Sequence, residues 1–432
     1  MPWFHCEAEL ISRREIESLC ARLLEEAGAR LGGTFRRVLL LPPDLTRAHS
    51  GSGWIAETLY RLLARTCDVH VIPTLGQHAP HTEAENRWMF ASIPEERIHA
   101  HDWRGGVTRV GMIPSEKVAE LTSGKADWAI PIDLNTILMN EQWDLIINIG
   151  QVVPHEVLGF ANHNKNYFIG LGGKESICAS HMAAAVCGIE NNLGKLLTPL
   201  RACFNWAEEQ FLDRLPDVFL QVVMRRDEER RLVHSGVYVG DDLETYLMAA
   251  RRSRFQNVAA LEAPVRKVVA VMQREEFRTT WVANKAIYRT RMVMADGGEL
   301  LVIAPGVERF GEQTEVDALI RKYGYCGTER VLQLYRQSSD LQDLAHGAAH
   351  LIHGSSEGRF TITYAPGGLT RSEIEGVHYQ FADLDEVLNR YSPERMHEGF
   401  NTLPDGEEIF FIGTPAAGLW ATRERLFASG DA

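Results

Sequence analysis

One segment of the chain places two histidines and a lysine on a background of polar residues and glycines. Lys165 follows His155 by ten positions, and His181 follows Lys165 by sixteen. A histidine can accept and return a proton near neutral pH, because its unperturbed pKa is about 6.5. The segment also carries several polar side chains and glycines, which argue against core packing as its explanation. The pattern predicts a functional site built on loops.

Two upstream segments also follow short apolar runs. Asp44, Thr46 and Arg47 come directly after VLLLPP, where a guanidinium can fork onto a phosphate and a carboxylate or hydroxyl can cap the next turn. His78 lies in the segment GQHAPHTEAE. The alternatives are a helix cap with a solvated Arg47, and a loop histidine at position 78 that is hydrogen-bonded to the backbone.

In order and spacing, these segments resemble the nickel-pincer nucleotide-dependent lactate racemase family. PDLTR looks like its D-x-T-R cofactor loop, and GQHAPHTEAE looks like its G-x-H-x-x-x-T-x-E-E element. The histidine–lysine–histidine spacing matches as well. Farther along, WVANKAIYRT and then ADGGELLVIAP resemble the substrate-lysine helix and the strand after it. The resemblance spans roughly residues 40 to 305 and indicates a divergent homologue.

The resemblance implies a role for each matched residue. Lys165 would bond covalently to the nickel-pincer nucleotide, and His181 would ligate nickel, with sulfur and carbon donors coming from the cofactor. His78 and His155 would act as alternate acid and base on opposite sides of a 2-hydroxy acid, whose carboxylate Lys285 would hold. The implied activity is racemisation or epimerisation by hydride transfer at C2.

The cofactor's phosphate and ribose would lie in the loop of Asp44, Thr46 and Arg47. Backbone N–H groups of Gly172 and Gly173 could add phosphate donors. The expected partners are a small 2-hydroxy acid and the proteins that make or deliver the cofactor.

Three positions depart from the lactate enzymes. Val282 stands where they carry a glutamine, Leu45 where they carry a second arginine, and Ala161–Asn164 (ANHN) where they carry a Ser-Gly-Gly run. These departures indicate a different substrate pocket, suited to a longer or more polar hydroxy acid.

Composition narrows the class of protein. A net charge of −13 over 432 residues argues against binding to a nucleic-acid backbone. The apolar runs are far shorter than the ~18 residues that a membrane helix needs, and the N-terminus lacks a basic region followed by an apolar core, so we expect no membrane association and a cytoplasmic location. Seven scattered cysteines without a C-x-x-C pair predict reduced thiols.

Alternating helix and strand patterns predict two α/β domains with the active site in a cleft between them. The expected division is a doubly wound, Rossmann-like cofactor-binding domain at 1–262, a smaller substrate domain at 263–410, and a C-terminal strand end and helix at 411–432 that packs back on the first domain. Helices are predicted at 7–28, at 53–64 and from about Gly418. Strands predicted before Asp44, His78 and His155 would deliver all three motifs to one carboxyl edge.

Two other functions fit parts of the pattern. A zinc-dependent hydrolase could use His346, His350 and His353 at helical spacing, or the pair His99 and His101, although no H-E-x-x-H motif accompanies them. The second alternative is a non-catalytic protein that binds a nucleotide or hydroxy acid through the same loops. The sequence assigns no role to His81 or His163, which adjoin the matched positions.

Overall fold

A computed structural model describes residues 2–229 and 231–427 and divides them into two compact units. The first unit ends at Ser180 and resumes over Leu196–Gln256, and the second comprises His181–Lys195 and the described residues from Asn257 onward. Each unit has its own mixed sheet of six strands. The structure therefore confirms the predicted two-domain α/β class. No helix in these ranges is long and apolar enough to cross a membrane.

The first unit contains ten strands and eight helices among the described residues. They are β1 (Phe4–Glu7), α1 (Arg13–Leu31), β2 (Arg37–Leu41), α2 (Ser52–Leu63), β3 (Asp68–Val71), α3 (Glu83–Met89), β4 (Val107–Ile113), α4 (Ser115–Leu121), β5 (Ile130–Asn135), α5 (Thr136–Asn140), β6 (Leu145–Gln151), β7 (Pro154–His155), β8 (Gly159–Phe160), α6 (Lys174–Cys187), α7 (Pro199–Phe211), β9 (Asp217–Arg226), β10 (Leu232–Gly240) and α8 (Leu243–Asn257). Helix α6 continues into the second unit.

The main sheet of the first unit has the order β1-β10-β9-β6-β2-β3, and the four strands from β9 to β3 are parallel. Strand β2 is buried from Val38 to Leu41, as expected for a parallel strand covered on both faces. Helices α1 and α2 share one hydrophobic core with this sheet, whereas α8 packs in a second core with Val223 and Tyr238. The doubly wound arrangement follows from these two cores.

Helix α1 begins at Arg13, six residues later than the sequence pattern predicted. Ser12 and Glu15 form a reciprocal capping box at its start, which satisfies backbone donors that would otherwise lack partners. The preceding residues form β1 instead, which pairs antiparallel with β10. Ile16 and Leu23 are fully buried on the inner face of the helix, each stabilising it by about 1.5–3 kcal/mol.

The second unit contains eight strands and nine helices among the described residues. They are β11 (Val258–Leu261), β12 (Val265–Val271), α9 (Thr280–Ala283), α10 (Lys285–Thr290), β13 (Met294–Ala304), α11 (Thr314–Tyr323), α12 (Thr328–Gln337), α13 (Ser339–Asp343), α14 (Ala345–His353), β14 (Thr361–Pro366), α15 (Arg371–Gly376), β15 (Gln380–Phe381), α16 (Leu384–Arg390), β16 (Gly399–Thr402), β17 (Glu408–Ile412), β18 (Leu419–Thr422) and α17 (Arg423–Phe427). Its main sheet has the order β15-β14-β13-β12-β17-β16, with only β16 antiparallel.

The C-terminal part of the chain differs from the sequence-based expectation. A strand, β18, occupies Leu419–Thr422 where a helix was predicted from Gly418, and α17 begins only at Arg423. The strand forms because it pairs in parallel with β11. Since β17 also pairs with β12, the described residues after 410 belong to the second unit rather than the first. The boundary before this unit lies at Asn257, slightly earlier than the predicted position after 262.

Candidate functional site

Three loops converge at the carboxyl edge of the first sheet. Strand β2 lies between β3 and β6, and all three run in parallel. The loops that follow them carry Asp44, His78 and His155, respectively. A bridge between Pro43 and Thr74 holds the first two loops together. The fold therefore brings the motifs to one edge, as the strand pattern predicted.

Asp44 organises the first loop. Its Oδ1 accepts hydrogen bonds from the Thr46 backbone N at 3.2 Å and from the Thr46 hydroxyl at 2.6 Å, capping a 3₁₀ turn over Leu45–Ser50. Burial raises the pKa of the Asp44 carboxyl, but hydrogen bonds and nearby positive charge outweigh burial, so the net shift is downward. Asp44 is therefore a buried carboxylate that carries its charge at neutral pH.

The second oxygen of Asp44 pairs with His78. The His78 Nδ1 donates to Oδ2 of Asp44, while the His78 side chain is 60% exposed. A carboxylate oxygen can only accept a hydrogen bond. In the neutral His78 ring the proton is therefore on Nδ1, and Nε2 has the acceptor lone pair. The buried Asp44 carboxylate thus fixes the orientation of the His78 ring, with Nε2 directed away from Asp44. An aspartate orients a catalytic histidine in the same way.

His81 holds the loop that carries Asp44 in place. Its Nε2 accepts from the backbone N of Leu45 at 2.9 Å, so its Nδ1 is the donor in the 3.2 Å contact with Oδ1 of Asn86. The ring ties the loop of Asp44 to α3. His81 is therefore a structural residue of the site, a role that the sequence left open.

His155 lies in a small hairpin after β6. It ends β7 and pairs with Gly159 of β8. Its Nδ1 accepts from the backbone N of Val157 at 3.2 Å, so in the neutral ring the proton is on Nε2. The two histidines are thus held in opposite tautomers, with Nε2 an acceptor in His78 and a donor in His155.

Lys165 precedes a π-helical turn over Asn166–Gly170, an irregularity that often accompanies functional sites. It is partly exposed, whereas its neighbours Asn164 and Asn166 are buried. Burial and the charge of Arg47 lower the pKa of the Lys165 amine to about 8, against the opposing charges of Asp44 and Glu156. About a tenth of this amine is therefore unprotonated at pH 7, far more than for an ordinary lysine, and the unprotonated form is the nucleophile.

Arg47 and Glu156 complete the charged groups around Lys165. Burial lowers the pKa of the Arg47 guanidinium, and the carboxylates of Glu156 and Asp44 act in the opposite direction. Glu156 directly follows His155, and the sequence reading passed over it. Its position beside a matched histidine is the only sequence signal that could have identified it.

The segment before Lys165 has an unusual backbone. Asn162 and His163 have φ values of +71° and +60°, in the left-handed region that favours glycine and tolerates asparagine. The left-handed backbone at position 162 thus suits the asparagine that stands there. Asn162 also donates to the Gly150 carbonyl at 3.1 Å and accepts from Asn166 at 2.7 Å, which fixes this conformation.

His163 is buried beneath this segment. Its ring stacks on Phe219 with 4.1 Å between centroids, and neither ring nitrogen has a hydrogen-bond partner within the described chain. Burial and the charge of Arg201 lower its pKa to about 3. His163 is therefore neutral at ordinary pH and faces the core.

The backbone amides of Gly172 and Gly173 do not fit the expected phosphate role. The Gly172 N donates to the Ile169 carbonyl at 3.3 Å, and the Gly173 N donates to the Asp133 carbonyl at 3.0 Å. Both donors are thus already used within the fold. Glycine is required at 172 because a Cβ there would lie 2.1 Å from the Phe168 carbonyl oxygen.

His181 lies on α6 and is partly buried, with Cys178 one turn earlier on the same helix. Across residues 2–229 and 231–427, no group of three or more His, Cys, Asp or Glu side chains is placed to hold a metal ion.

The histidines of the zinc alternative have other contacts. His350 is paired through Nδ1 with the Tyr288 hydroxyl at 2.7 Å and through Nε2 with the Tyr325 hydroxyl at 3.1 Å. His101 similarly donates to the Gly172 carbonyl at 3.1 Å and pairs with Asn135 at 3.0 Å. Both rings are buried parts of hydrogen-bonded networks.

Lys285 begins α10 in the second unit and is partly exposed. The preceding Asn284 is fully buried and is held by the hydroxyls of Tyr379 at 3.0 Å and Tyr364 at 3.2 Å. This anchor breaks the predicted single helix into α9 and α10, because the Asn284 side chain and backbone are fixed by the sheet below. Val282 is also partly exposed, one turn before Lys285.

Comparisons with known proteins agree with this architecture. A crystallised protein from Thermotoga maritima is similar to the chain with a TM-score of 0.78 and 23% identity, covering 97% of this chain and 100% of that one. The lactate racemase apoprotein from Thermoanaerobacterium thermosaccharolyticum is similar with a TM-score of 0.69 and 15% identity, covering 94% of this chain and 92% of that one. At these identities, the likeness concerns the fold.

No curated protein sequence matches the chain at a significant level. The family described as the lactate racemase N-terminal domain matches residues 29–192, the stretch that contains Asp44, His78, His155, Lys165 and His181. The motif order, the edge at which the three loops meet and this match agree. Residues 29–192 therefore match a lactate racemase N-terminal domain, and the chain as a whole is similar in fold to a lactate racemase apoprotein.

Proposed function

We propose that the protein is a racemase or epimerase of 2-hydroxy acids that uses a nickel-pincer nucleotide bonded to Lys165. The observation that carries the proposal is the Lys165 amine, whose pKa burial and Arg47 lower to about 8, beside the sheet edge that also presents His78 and His155. An amine of lowered pKa next to a cation is a known form of activated lysine. A lysine serving only as a surface charge would not need this environment.

The residues of this edge fit such a cofactor. Arg47 has a planar fork suited to the nucleotide's phosphate, and Thr46 is exposed beside it. His181 would be the single protein ligand of nickel, through a neutral imidazole nitrogen. Asp44 has both oxygens engaged, so we assign it to hold His78 and the loop. When bound, the cofactor supplies the acceptor for the hydrogen that leaves C2 as hydride.

Proton movement at the substrate hydroxyl falls to the histidines. Loss of hydride from C2 requires loss of the hydroxyl proton. We assign Nε2 of His78 as the acceptor of this proton, because Nδ1 donates to Asp44. Return of hydride to the opposite face of the 2-keto acid requires a proton on its oxygen. We assign Nε2–H of His155 as the donor to that oxygen. In the reverse direction the two roles exchange.

We assign substrate binding to Lys285, whose positive charge would hold the carboxylate common to all 2-hydroxy acids. With Val282 at the position where the lactate enzymes carry glutamine, we propose a substrate longer or more polar than lactate. The proteins that build the cofactor would be obligatory partners for activity.

The decisive experiment is to co-express the protein with the cofactor-making enzymes and to measure intact mass and metal content. We expect an adduct that peptide mapping places on Lys165, together with about one nickel per chain. Lys165→Arg keeps the charge and should carry no adduct. The loaded protein should then racemise or epimerise at least one member of a panel of 2-hydroxy acids.

An unmodified Lys165 without nickel, in a preparation where a lactate racemase control is loaded, would overturn the proposal. If the cofactor is loaded but no 2-hydroxy acid is turned over, the cofactor assignment stands and the proposed reaction is rejected. Because both measurements use one preparation, the two failures are distinguishable.

A further inference from the structure

Helix α7 presents a stripe of polar side chains to the loop that carries Lys165. Arg201, Asn205 and Glu208 are spaced by four and three residues, which places them on one helix face. All three contact Asn164: Arg201 donates to its Oδ1, and its Nδ2 donates to Asn205 at 2.8 Å and to Glu208 at 2.9 Å. One side chain adjacent to Lys165 is thus held by three residues of a regular helix.

Arg201 also holds the other end of this segment. Its Nη2 donates to the Phe160 carbonyl at 2.8 Å and to the Tyr246 hydroxyl at 3.0 Å, and the guanidinium lies 4.3 Å from the centre of the Tyr246 ring. The arginine is 0% exposed. It therefore spans the two left-handed residues between Phe160 and Asn164 and fixes both ends of a conformation that costs energy to adopt.

The charge of Arg201 is poorly neutralised. Within the described chain, its hydrogen-bond acceptors are carbonyl, amide and hydroxyl oxygens, none of which carries a charge. Glu208 shares Asn164 with it, but burial and the charge of Asp217 raise the Glu208 pKa to about 8, so this carboxyl is largely protonated at pH 7. The cationic field of Arg201 therefore reaches Lys165, where it contributes to the lowered pKa.

We propose that Arg201 is a positioning residue for Lys165, clamping the Phe160–Asn164 segment onto α7 and keeping the neighbouring amine in a nucleophilic state. The inference takes from the proposed function only that Lys165 is the cofactor anchor. Four charged groups act on this amine: Arg47 and Arg201 favour its neutral form, and Asp44 and Glu156 favour its charged form. Arg201 is distinct among them because it also shapes the loop.

The test is competitive labelling of cofactor-free protein with acetic anhydride from pH 6 to 10, with Lys165 acetylation followed by peptide mass spectrometry. Only the unprotonated amine reacts: its lone pair forms the N–C bond, acetate leaves with the electrons of the broken C–O bond, and the amine proton passes to water. Hydrogen exchange of the peptide around residues 160–166 reports on the clamp. Arg201→Met removes charge and fork, and Arg201→Lys removes only the fork.

For the wild type we expect a labelling midpoint near pH 8. Arg201→Met should raise the midpoint and so reduce labelling at pH 7, by less than removal of Arg47 would, because Arg201 acts more weakly on this amine than Arg47 does. Arg201→Lys should keep the midpoint within a few tenths of a unit, and both variants should exchange faster over 160–166. Arg291→Lys, the same change at a buried arginine of the second unit, should behave as wild type.

A folded Arg201→Met protein with a wild-type midpoint and wild-type exchange would overturn the inference. If this variant does not fold, Asn164→Ala decides, because it removes one acceptor and leaves the arginine in place. Faster exchange over 160–166 in Asn164→Ala supports the clamp, and unchanged exchange rejects it. Failure of the proposed function would appear separately, as absence of adduct and nickel in the loaded wild type.

Discussion

Asp44 and His78 join the ends of two neighbouring parallel strands through a hydrogen bond between a buried carboxylate and an exposed imidazole. The same carboxylate caps the loop of Thr46 through its other oxygen. A single side chain thus sets the conformation of one loop and the tautomer of a histidine on the next. This coupling makes Asp44 central to the proposed chemistry even though it would not touch the substrate.

Asp44→Asn should lower kcat of the loaded enzyme by about 10²- to 10⁴-fold, because an amide does not fix the Nδ1–H tautomer of His78. It should also lower the labelling midpoint of Lys165 in the cofactor-free protein, since the Asp44 charge raises that pKa. The measurements are steady-state kinetics and acetic anhydride labelling, each on protein with a native circular dichroism spectrum.

Thr46→Ala is the matched control for this prediction. It removes one hydroxyl donor to Asp44 but leaves the carboxylate and its contact with His78. The Lys165 midpoint should then stay close to the wild-type value. Equal losses of kcat in Asp44→Asn and Thr46→Ala, compared at equal cofactor loading of Lys165, would show that loop conformation, rather than the tautomer of His78, explains the effect.

Lys285→Ala should raise KM for the substrate by roughly 10- to 100-fold, because it removes a charge-assisted hydrogen bond of about 1.5–3 kcal/mol to the carboxylate. Loading of Lys165 with cofactor should be unaffected. Lys322→Ala, at an exposed lysine of α11 that pairs with Asp340, serves as the control and should leave KM unchanged. A wild-type KM in Lys285→Ala would remove Lys285 from the substrate site.

The strands and the edge at which they end were predictable from sequence because they are short apolar runs followed by polar loops. Val38–Leu41 is such a run, and it is fully buried in β2, which lies between the parallel strands β6 and β3. The start of α1 was predicted six residues too early, because Glu7 pairs with Gly236 of β10 and the capping box of Ser12 and Glu15 starts the helix at Arg13. That pairing depends on residues more than 200 positions away.

Residue types and their spacing were enough to predict candidate site residues, whereas the contacts among those residues could not be predicted. The pairing of Asp44 with His78 has no signature in either segment alone, because it depends on the adjacency of β2 and β3. Arg201 lies far from Lys165 in sequence and reaches it only through the packing of α7. Gly172 and Gly173 suggested backbone donors for a phosphate, but their amides donate to the carbonyls of Ile169 and Asp133.

The buried His163 predicts acid sensitivity. Its folded pKa of about 3 lies below the unfolded value near 6.5, so the unfolded state binds more protons and stability falls as pH drops from about 6.5 toward 3. The loss attributable to this group is on the order of 5 kcal/mol over that range, roughly half of it between pH 7 and pH 4.5. His163→Phe should keep the stacking on Phe219 and reduce this dependence, measured as urea midpoints between pH 7 and pH 4.5.

His234→Phe is a comparison for that change, because His234 is also partly buried but its Nε2 donates to the Ser50 carbonyl, 2.8 Å away. It should lose stability at pH 7, since it breaks a hydrogen bond that His163 does not make. If His163→Phe shows the same pH dependence as the wild type, the acid sensitivity arises elsewhere, for instance at the buried His350.

Glu208 predicts the opposite dependence at higher pH. Burial and Asp217 raise its folded pKa to about 8, above the unfolded value near 4.5, so the folded state binds more protons and stability falls as pH rises from about 4.5 to 8. Glu208→Gln keeps an acceptor for Asn164 and cannot ionise. It should be more stable than wild type by roughly 3–4 kcal/mol at pH 8.5 and within about 1 kcal/mol of it at pH 5. Urea unfolding at both pH values measures this difference, and a variant less stable at pH 8.5 would show that the charged form of Glu208 supports the fold.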